Sequence, residues 1–194
     1  MKKTRVRKKT RELDIYSSTL LVMRHFFKYP TTEFTLSEVA SFTGLSKSTV
    51  SRIISNLNEA GFVTIVDLGV VYRLIANSQS AIYNKEKAAN NLSIIIRSNI
   101  TEFLVERFKN PKCIVLFGSY RRGEDSKDSD IDIAVELSDD IETEQFAFEE
   151  FKDMEAELGR RFVILAFNRK NIDDNLFINL ANGVVLYGLL EVSK

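Results

Sequence analysis

Apolar residues recur with helical spacing through the first third of the chain. Residues 14–28 are densely apolar and predict a buried helix, which Pro30 ends because the residue before a proline avoids helical backbone. The segment Thr35–Glu38 has the sequence of a capping box and predicts a second helix, which stops near Gly44. A third helix follows, with its apolar residues spaced i, i+3, i+4 and i+7: Val50, Ile53, Ile54 and Leu57.

Two β-rich segments follow these helices. They are Phe62–Val66 and Val70–Ile75, and the short link Asp67–Gly69 between them predicts a hairpin. Three helices and a hairpin, with a short helix–glycine–helix turn among them, form a helix-turn-helix with a wing. We therefore predict a winged helix-turn-helix domain over residues 14–77.

The pattern changes beyond residue 77. Residues 78–91 are polar and are predicted to form a linker or a connecting helix. Over residues 92–194 we predict a small α/β domain with a mixed sheet, whose first two strands are Cys113–Phe117 and Asp130–Val135. Residues 141–157 carry Phe and Met among many acids and predict an amphipathic helix. The predicted fold class is therefore α+β, with a winged helix followed by a small α/β domain with a mixed sheet.

Composition narrows the chemistry. Hydrophobic residues make up 44% and charged residues 28% of the 194 residues, which is typical of a soluble globular protein. No apolar run approaches the roughly 18–20 residues that span a bilayer, so we expect a cytoplasmic protein that does not bind membranes. Cys113 and His25 are the single cysteine and histidine, which excludes a disulfide framework and a Cys/His metal site. Any metal must then be held by oxygen, which favours Mg²⁺ or Mn²⁺.

The net charge of zero conceals two oppositely charged halves. Residues 1–90 contain 14 Lys or Arg and 7 Asp or Glu, and the remaining residues contain 13 and 20, so the halves carry +7 and −7. Seven of the cations fall within the first 11 residues, and residues 1–13 are predicted to form a basic disordered arm. Two interpretations of the arm stay open: a solubilising tail, or an arm that contacts nucleic-acid phosphates.

The polar face of the third helix is the candidate DNA-binding surface. Its side chains are small, polar and partly basic, and such side chains enter a major groove to contact phosphates or base edges. With a phosphate contact from the hairpin included, the predicted contacts to double-stranded DNA are Lys47, Ser48, Thr49, Ser51, Arg52 and Arg73. The alternative is that the winged helix docks a protein or mediates dimerisation. Winged-helix regulators usually pair on two half-sites, so we expect a homodimer.

A phosphate-and-metal motif lies in the second half of the chain, with the sequence GSYRRGEDSKDSDIDI over residues 118–133. Gly118 follows a predicted strand, where a glycine lets backbone approach a phosphate, and the hydroxyl of Ser119 can bond a phosphate oxygen. Asp130 and Asp132 lie two residues apart on the next strand, so they share a face. Neighbouring carboxylates repel each other unless a cation lies between them, and beside a phosphate cradle they suit Mg²⁺ bound to a nucleoside triphosphate (NTP).

This motif resembles the GSxxxG…SDxD signature of the polymerase β nucleotidyltransferase superfamily, and more narrowly that of prokaryotic minimal nucleotidyltransferase (MNT) domains. The segment LSEVASFTGLSKSTVSRIISNLNEAGFV resembles winged-helix regulators of the MarR and ArsR kind. The resemblance implies that Asp130 and Asp132 are catalytic and hold Mg²⁺ or Mn²⁺, with an NTP, expected to be ATP, as substrate or ligand. The nucleotide-binding set that it implies is Gly118, Ser119, Arg121, Arg122 and Ser129, with a solvated loop face as the alternative for the two arginines.

The chain departs from the superfamily at a third carboxylate. The superfamily usually carries this acid on a later strand in a pattern like LGRKVDLV, and here the matching residues 158–165 place Val163 at its position. The resemblance implies that the acid helps to hold the metal that activates the attacking hydroxyl, so its loss spares nucleotide binding more than catalysis. Glu136 lies on the same strand face as the two aspartates and is either a substitute or a surface acid at the strand end.

Two functions stay open from the sequence. The first is a DNA-binding nucleotidyltransferase that moves a nucleoside monophosphate from an NTP to a hydroxyl acceptor. The resemblance implies an antitoxin-like form of it, in which the acceptor is a protein and the partner is a HEPN-domain toxin. The second is a winged-helix transcriptional regulator whose degenerate transferase domain only senses nucleotide or docks a partner.

Overall fold

The computed structural model describes residues 17–69 and 71–192. The predicted basic arm, residues 1–13, lies outside those ranges. The fold divides into two units, of which the first ends at Tyr83 and the second begins at Asn84. Across the described ranges, no helix combines the length and the hydropathy that a membrane span requires.

The first unit contains the predicted helix-turn-helix and hairpin. Helix α1 covers residues 17–28 and is followed by α2, Leu36–Thr43, and α3, Lys47–Glu59. Strands β1, Val63–Asp67, and β2, Tyr72–Ala76, pair in antiparallel orientation. These elements confirm the winged-helix architecture.

Local sequence sets the ends of these helices. The Thr35 hydroxyl accepts a hydrogen bond from the Glu38 N–H, and the Glu38 carboxylate accepts one from the Thr35 N–H at 2.6 Å, so the predicted capping box is present. Gly44 ends α2 in the left-handed conformation, with φ +67. Ser46 caps α3 by accepting a bond from the Thr49 N–H. The apolar face of α3 lies in the core of the unit, and its members are each at most 7% exposed: Val50, Ile53, Ile54 and Leu57.

The second unit is an α/β domain. Helix α4, Ala81–Arg97, starts within the first unit and is followed by α5, Ile100–Arg107. Strand β3, Cys113–Phe117, leads directly into the short helix α6, Gly118–Arg122, and then to strand β4, Ile131–Glu136. The remaining elements are β5, Glu144–Phe146; a 3₁₀ turn, Glu149–Phe151; α7, Lys152–Leu158; β6, Phe162–Phe167; α8, Asp174–Ala181; and β7, Val184–Gly188.

The described strands of this unit form the mixed sheet that was predicted, and their order is β5-β6-β4-β3-β7. Strands β4 and β6 are parallel, and the other neighbouring pairs are antiparallel. One face packs against α4, α5 and α6 through Ile95, Leu104 and Tyr120, and the opposite face packs against Leu180 of α8. Because β3 is antiparallel to β4, the end of β3 lies beside the starts of β4 and β6. The sequence motif therefore comes together at this edge of the sheet.

The prediction of one helix over residues 141–157 is wrong. Residues 144–146 form β5, which pairs with Ala166, Leu165 and Ile164 of β6, and only the last part of the segment is helical. Pairing with the edge of β6 satisfies backbone groups that a helix would satisfy internally. The aromatic residues of the segment still pack against the core, with Phe151 buried and Phe146 and Phe148 partly buried.

Candidate functional site

The ends of β3 and β4 bring Gly118 and Asp132 together. Phe117 is paired with Asp132 across the two strands, and the chain turns into α6 at the next residue. Gly118 has φ +72, and a Cβ added there would lie 2.2 Å from Asp132 Oδ2. A side chain at this position would be strained by the left-handed backbone and would have to displace the Asp132 carboxylate. The predicted glycine and this aspartate therefore belong to the same site.

The surroundings of Asp132 disfavour its negative charge. Asp132 is half-buried at the start of β4, and Asp130, two residues earlier, is 30% exposed. Burial raises the pKa of the Asp132 carboxyl, and the negative charge of Asp130 raises this pKa further. A cation between the two carboxylates would relieve the repulsion and compensate for the loss of water around Asp132.

Arg161 already supplies a positive charge to Asp130. Its Nε and Nη2 each donate a hydrogen bond at 3.1 Å, one to each carboxylate oxygen of Asp130. The Arg161 side chain is 77% exposed, so this is a surface ion pair of the kind that contributes about 0–1 kcal/mol. Arg161 is not among the site residues predicted from the sequence. The available signal was its position two residues before Val163, directly before the strand beside β4.

The strand register places Val163 beside Asp132. The two residues are partners in the parallel pair of β4 and β6, so their side chains lie on the same face of the sheet. Glu136, predicted to be either a substitute acid or a surface acid, is neither. It is 2% exposed, lies four residues further along β4 and accepts a 3.1 Å hydrogen bond from Arg169. Within residues 17–69 and 71–192, no three His, Cys, Asp or Glu side chains come together as a metal site.

The donor set fits one divalent cation. Asp130 and Asp132 offer oxygen atoms, and Mg²⁺ usually binds through one or two carboxylates, with phosphate oxygens and water completing its shell. The raised pKa of Asp132 shows that its surroundings disfavour the charged carboxylate, which a bound cation would stabilise. Bound there, Mg²⁺ or Mn²⁺ would neutralise phosphate charge. A second cation would need a further acid, and β6 has Val163 at the adjacent position.

A buried ionic cluster holds the loop that leads to Asp130. Asp125, at its centre, is 3% exposed, and its carboxylate lies 3.1 Å from Lys87 Nζ, 2.7 Å from Arg160 Nη2 and 2.8 Å from Asn91 Nδ2. Lys87 also donates to the carbonyl oxygen of Asp125. Burial lowers the pKa of Lys87, and the charge of Asp125 opposes that shift. The cluster ties α4 and Arg160, two residues before β6, to the loop, so the carboxylate of Asp125 has a structural role.

The second glycine of the motif serves helix packing. Gly123 ends α6 with φ +72, and an added Cβ would lie 2.1 Å from the carbonyl oxygen of Asn84 and 2.7 Å from the amide nitrogen of Ala88. The backbone of α4 therefore passes directly against Gly123 and leaves no room for a side chain. This glycine sets the position of the motif and does not face a ligand.

The other predicted nucleotide contacts have different surroundings. Ser119 and Arg121 are half-buried in α6. Arg122 is exposed and donates to a glutamate two residues later at 2.6 Å, so its charge is already paired. The Ser129 hydroxyl accepts a hydrogen bond at 2.9 Å from the backbone N–H three residues earlier, so it closes the loop that precedes Asp130.

An open cavity of ≈450 Å³ adjoins Asp130. Its walls include Lys127, Ser129, Asp130 and Arg161. Its size falls within the roughly 300–1,000 Å³ of small-molecule sites. It therefore offers space for part of a ligand, and its lining has as many acidic as basic residues: Asp128, Asp130 and Glu155 with Lys127, Arg160 and Arg161.

In the first unit, the predicted DNA contacts divide into two groups. Lys47, Ser48, Ser51 and Arg52 are exposed on α3 and are available to a ligand. Thr49 is half-buried, and its hydroxyl lies 2.8 Å from the hydroxyl of the helix cap, so it takes part in capping.

Arg73 lies near the start of α2. Hydrogen bonds from Thr35 lower the pKa of the Glu38 carboxyl, and the charge of Arg73 lowers this pKa further. Arg73 is itself half-buried on β2. Arg73 therefore already interacts electrostatically with Glu38, and a DNA phosphate would compete with Glu38 for this interaction.

Comparison with known proteins gives the same division of the chain. Residues 97–186 match the family model of the nucleotidyltransferase domain, and residues 19–66 match that of the IclR helix-turn-helix domain. No curated protein matches the chain significantly. The crystal structure of the heme sensor protein PefR from Streptococcus agalactiae, in complex with heme, aligns at 18% identity over 55% of this chain and 95% of that chain. Its TM-score of 0.27 is too low to carry an argument.

Proposed function

We propose that this protein is a DNA-binding regulator that binds a nucleoside triphosphate together with Mg²⁺ or Mn²⁺. The matches to a nucleotidyltransferase domain and to a helix-turn-helix domain support this proposal. One observation favours a regulator over a transferase: Asp132 is paired with Val163, whose side chain cannot hold a metal. The carboxylates of Asp130 and Asp132 are enough for one cation and its nucleotide. Nucleotidyl transfer by a two-metal mechanism needs a second cation at the attacking oxygen.

Each residue of the proposed site has a separate role. The carboxylates of Asp130 and Asp132 hold the metal. Gly118 keeps the space beside Asp132 open, because any Cβ there would meet that carboxylate. The Ser119 hydroxyl and the guanidinium of Arg121 bond phosphate oxygens, and Ser129 holds the loop. Arg122 would add charge by leaving its pair with Glu124. We propose ATP as the nucleotide.

Nucleotidyl transfer is the second candidate function. It is favoured by the match of residues 97–186 to the nucleotidyltransferase domain and by the close fit of Gly118 against Asp132. The acceptor would be a hydroxyl group. In the antitoxin-like form of this hypothesis, the domain is of the MNT type, and the acceptor belongs to a HEPN-domain protein.

Binding and transfer can be separated on the same protein. We expect calorimetry with Mg²⁺·ATP to give saturable binding that Asp130→Ala and Asp132→Ala each abolish. Incubation with Mg²⁺, candidate hydroxyl acceptors and ATP labelled in the α-phosphate should give no transfer. Metal-dependent transfer that both variants lose would instead establish the enzyme. If the protein binds none of the four common NTPs, both candidate functions are refuted.

A gain-of-function variant tests the role of Val163. Val163→Asp would add an acid beside Asp132, and we expect it to increase the number of Mn²⁺ ions bound in the presence of nucleotide. Val163→Asn is the matched control, since it has nearly the same shape without the charge. Equal Mn²⁺ binding by the two variants would show that the absent acid does not limit metal binding.

The proposed regulator binds double-stranded DNA as a homodimer. The exposed face of α3, with Lys47 and Arg52, supports DNA contact. Pairing of two copies on adjacent half-sites is the usual arrangement of such domains. Light scattering coupled to gel filtration at micromolar concentration tests this state, and a monomer in both the free and the DNA-bound protein would contradict it.

A further inference from the structure

We propose that Arg161 is a triphosphate-binding residue, which Asp130 holds in place until a metal ion takes that carboxylate. This inference rests on the proposed function and deepens it. Around the start of β6, one residue lacks the expected negative charge and another adds a positive charge. Val163 stands beside Asp132 without a carboxylate, and Arg161, two residues earlier, adds a permanent positive charge.

Arg161 is bound to the oxygen atoms that a metal ion needs. Its Nε and Nη2 each donate to Asp130 at 3.1 Å, and together they engage both carboxylate oxygens. A divalent cation and the guanidinium therefore compete for Asp130. The arginine is the weaker competitor, because its side chain is 77% exposed and such pairs are largely screened by water.

The ion pair is not needed to hold the loop in place. The loop is already fixed by the buried carboxylate of Asp125, which lies 2.7 Å from Arg160 and 3.1 Å from Lys87. An exposed arginine adds little to that anchorage. The position of Arg161 is thus better explained by a role in ligand binding than by a role in stabilising the fold.

A displaced guanidinium would remain beside the phosphates. The Arg161 carbonyl oxygen accepts a 2.8 Å hydrogen bond from the Ile131 N–H, so its backbone is fixed next to both aspartates. Arg161 also lines the ≈450 Å³ cavity, together with Lys127. A triphosphate with one divalent cation keeps an excess of negative charge, and the planar fork of an arginine binds phosphate oxygens in pairs. Arg161 would offset part of this excess, as a second metal does in a site with three acids.

The proposal predicts opposite changes in two affinities of one variant. In Arg161→Gln, the affinity for Mn²⁺ alone, measured by electron paramagnetic resonance, should rise by up to about fivefold because a competitor is removed. The affinity for Mg²⁺·ATP, measured by calorimetry, should fall about tenfold because charge-assisted bonds to phosphate are lost. Arg161→Lys should recover part of the ATP affinity, since it keeps the charge but not the fork.

The controls separate this proposal from the function on which it rests. Lys152→Gln removes one half of another exposed ion pair, with Glu149, and should change neither affinity. If the wild type binds Mg²⁺·ATP and Arg161→Gln binds it equally well, the role of Arg161 is refuted while the nucleotide site stands. Parallel losses of both affinities would indicate a structural role and would also overturn the proposal. A wild type that binds no NTP refutes the proposed function and this inference together.

Discussion

Replacing Gly118 with alanine is the most direct test of the site. The new Cβ would lie 2.2 Å from Asp132 Oδ2, whereas ordinary contact begins at 3.4 Å, so the carboxylate must retreat by more than an ångström. Sites of this kind tolerate displacements of only about 0.5 Å. The backbone at φ +72 adds a cost of about 1–2 kcal/mol for any residue with a Cβ. We expect Gly118→Ala to fold with reduced stability and to bind Mg²⁺·ATP at least about tenfold more weakly.

Gly44→Ala separates the backbone cost from the clash. Gly44 has nearly the same φ, +67, but an added Cβ would meet nothing within 4 Å. This variant should lose a similar amount of stability, measured by thermal unfolding, and should bind Mg²⁺·ATP like the wild type in calorimetry. If Gly118→Ala also binds ATP like the wild type, the approach of Gly118 to Asp132 has no part in ligand binding, and the geometric argument fails.

Three further perturbations follow from other parts of the chain. Asp125→Ala leaves the buried Lys87 and Arg160 without their shared acid and should lower the free energy of unfolding in urea by about 3–5 kcal/mol; a loss below about 1 kcal/mol would contradict the structural role of the cluster. Lys47→Ala combined with Arg52→Ala should reduce the salt dependence of duplex binding by a log–log slope of about 2, since each phosphate contact contributes about 0.9; an unchanged slope would exclude α3 as the phosphate-contacting surface. Burial lowers the pKa of His25 from 6.5, so on acidification the unfolded chain takes up the proton first. Between about pH 7.5 and 5.5 the wild type should therefore lose more stability in urea titrations than His25→Phe, and equal losses would count against this interpretation.

The winged helix could be predicted from patterns of residues that are close together in the sequence. The spacing of apolar residues in α3 is set by one helix and is visible within the eight residues from Val50 to Leu57, and the capping box at Thr35 is a contact between neighbours. The juxtaposition of Gly118 and Asp132 could be predicted for a related reason. The two strands are consecutive, so the turn between them brings the end of one beside the start of the other.

Contacts between distant residues could not be predicted in this way. Asp125 and Asp130 lie in the same polar loop, but Asp125 is buried with Lys87, 38 positions away, whereas Asp130 pairs with Arg161, 31 positions away. No local pattern distinguishes an acid that anchors a loop from one that faces a cavity. The same limit applies to Glu136, which is buried because Arg169 reaches it from the segment after β6.

The neighbouring residues Arg160 and Arg161 show how the fold separates these tasks. In extended backbone, successive side chains point to opposite sides. Arg160 is directed inward to Asp125 and is 8% exposed, whereas Arg161 is directed outward to Asp130. Asp132 and Ile131 divide in the same way at the start of the adjacent strand, with Ile131 fully buried. A shift of one residue in the register of β6 against β4 would exchange the two arginines, burying the one proposed to bind phosphate and exposing the one that anchors the loop. The parallel pairing of β4 with β6 therefore determines both which arginine anchors the loop and which one is exposed beside Asp130.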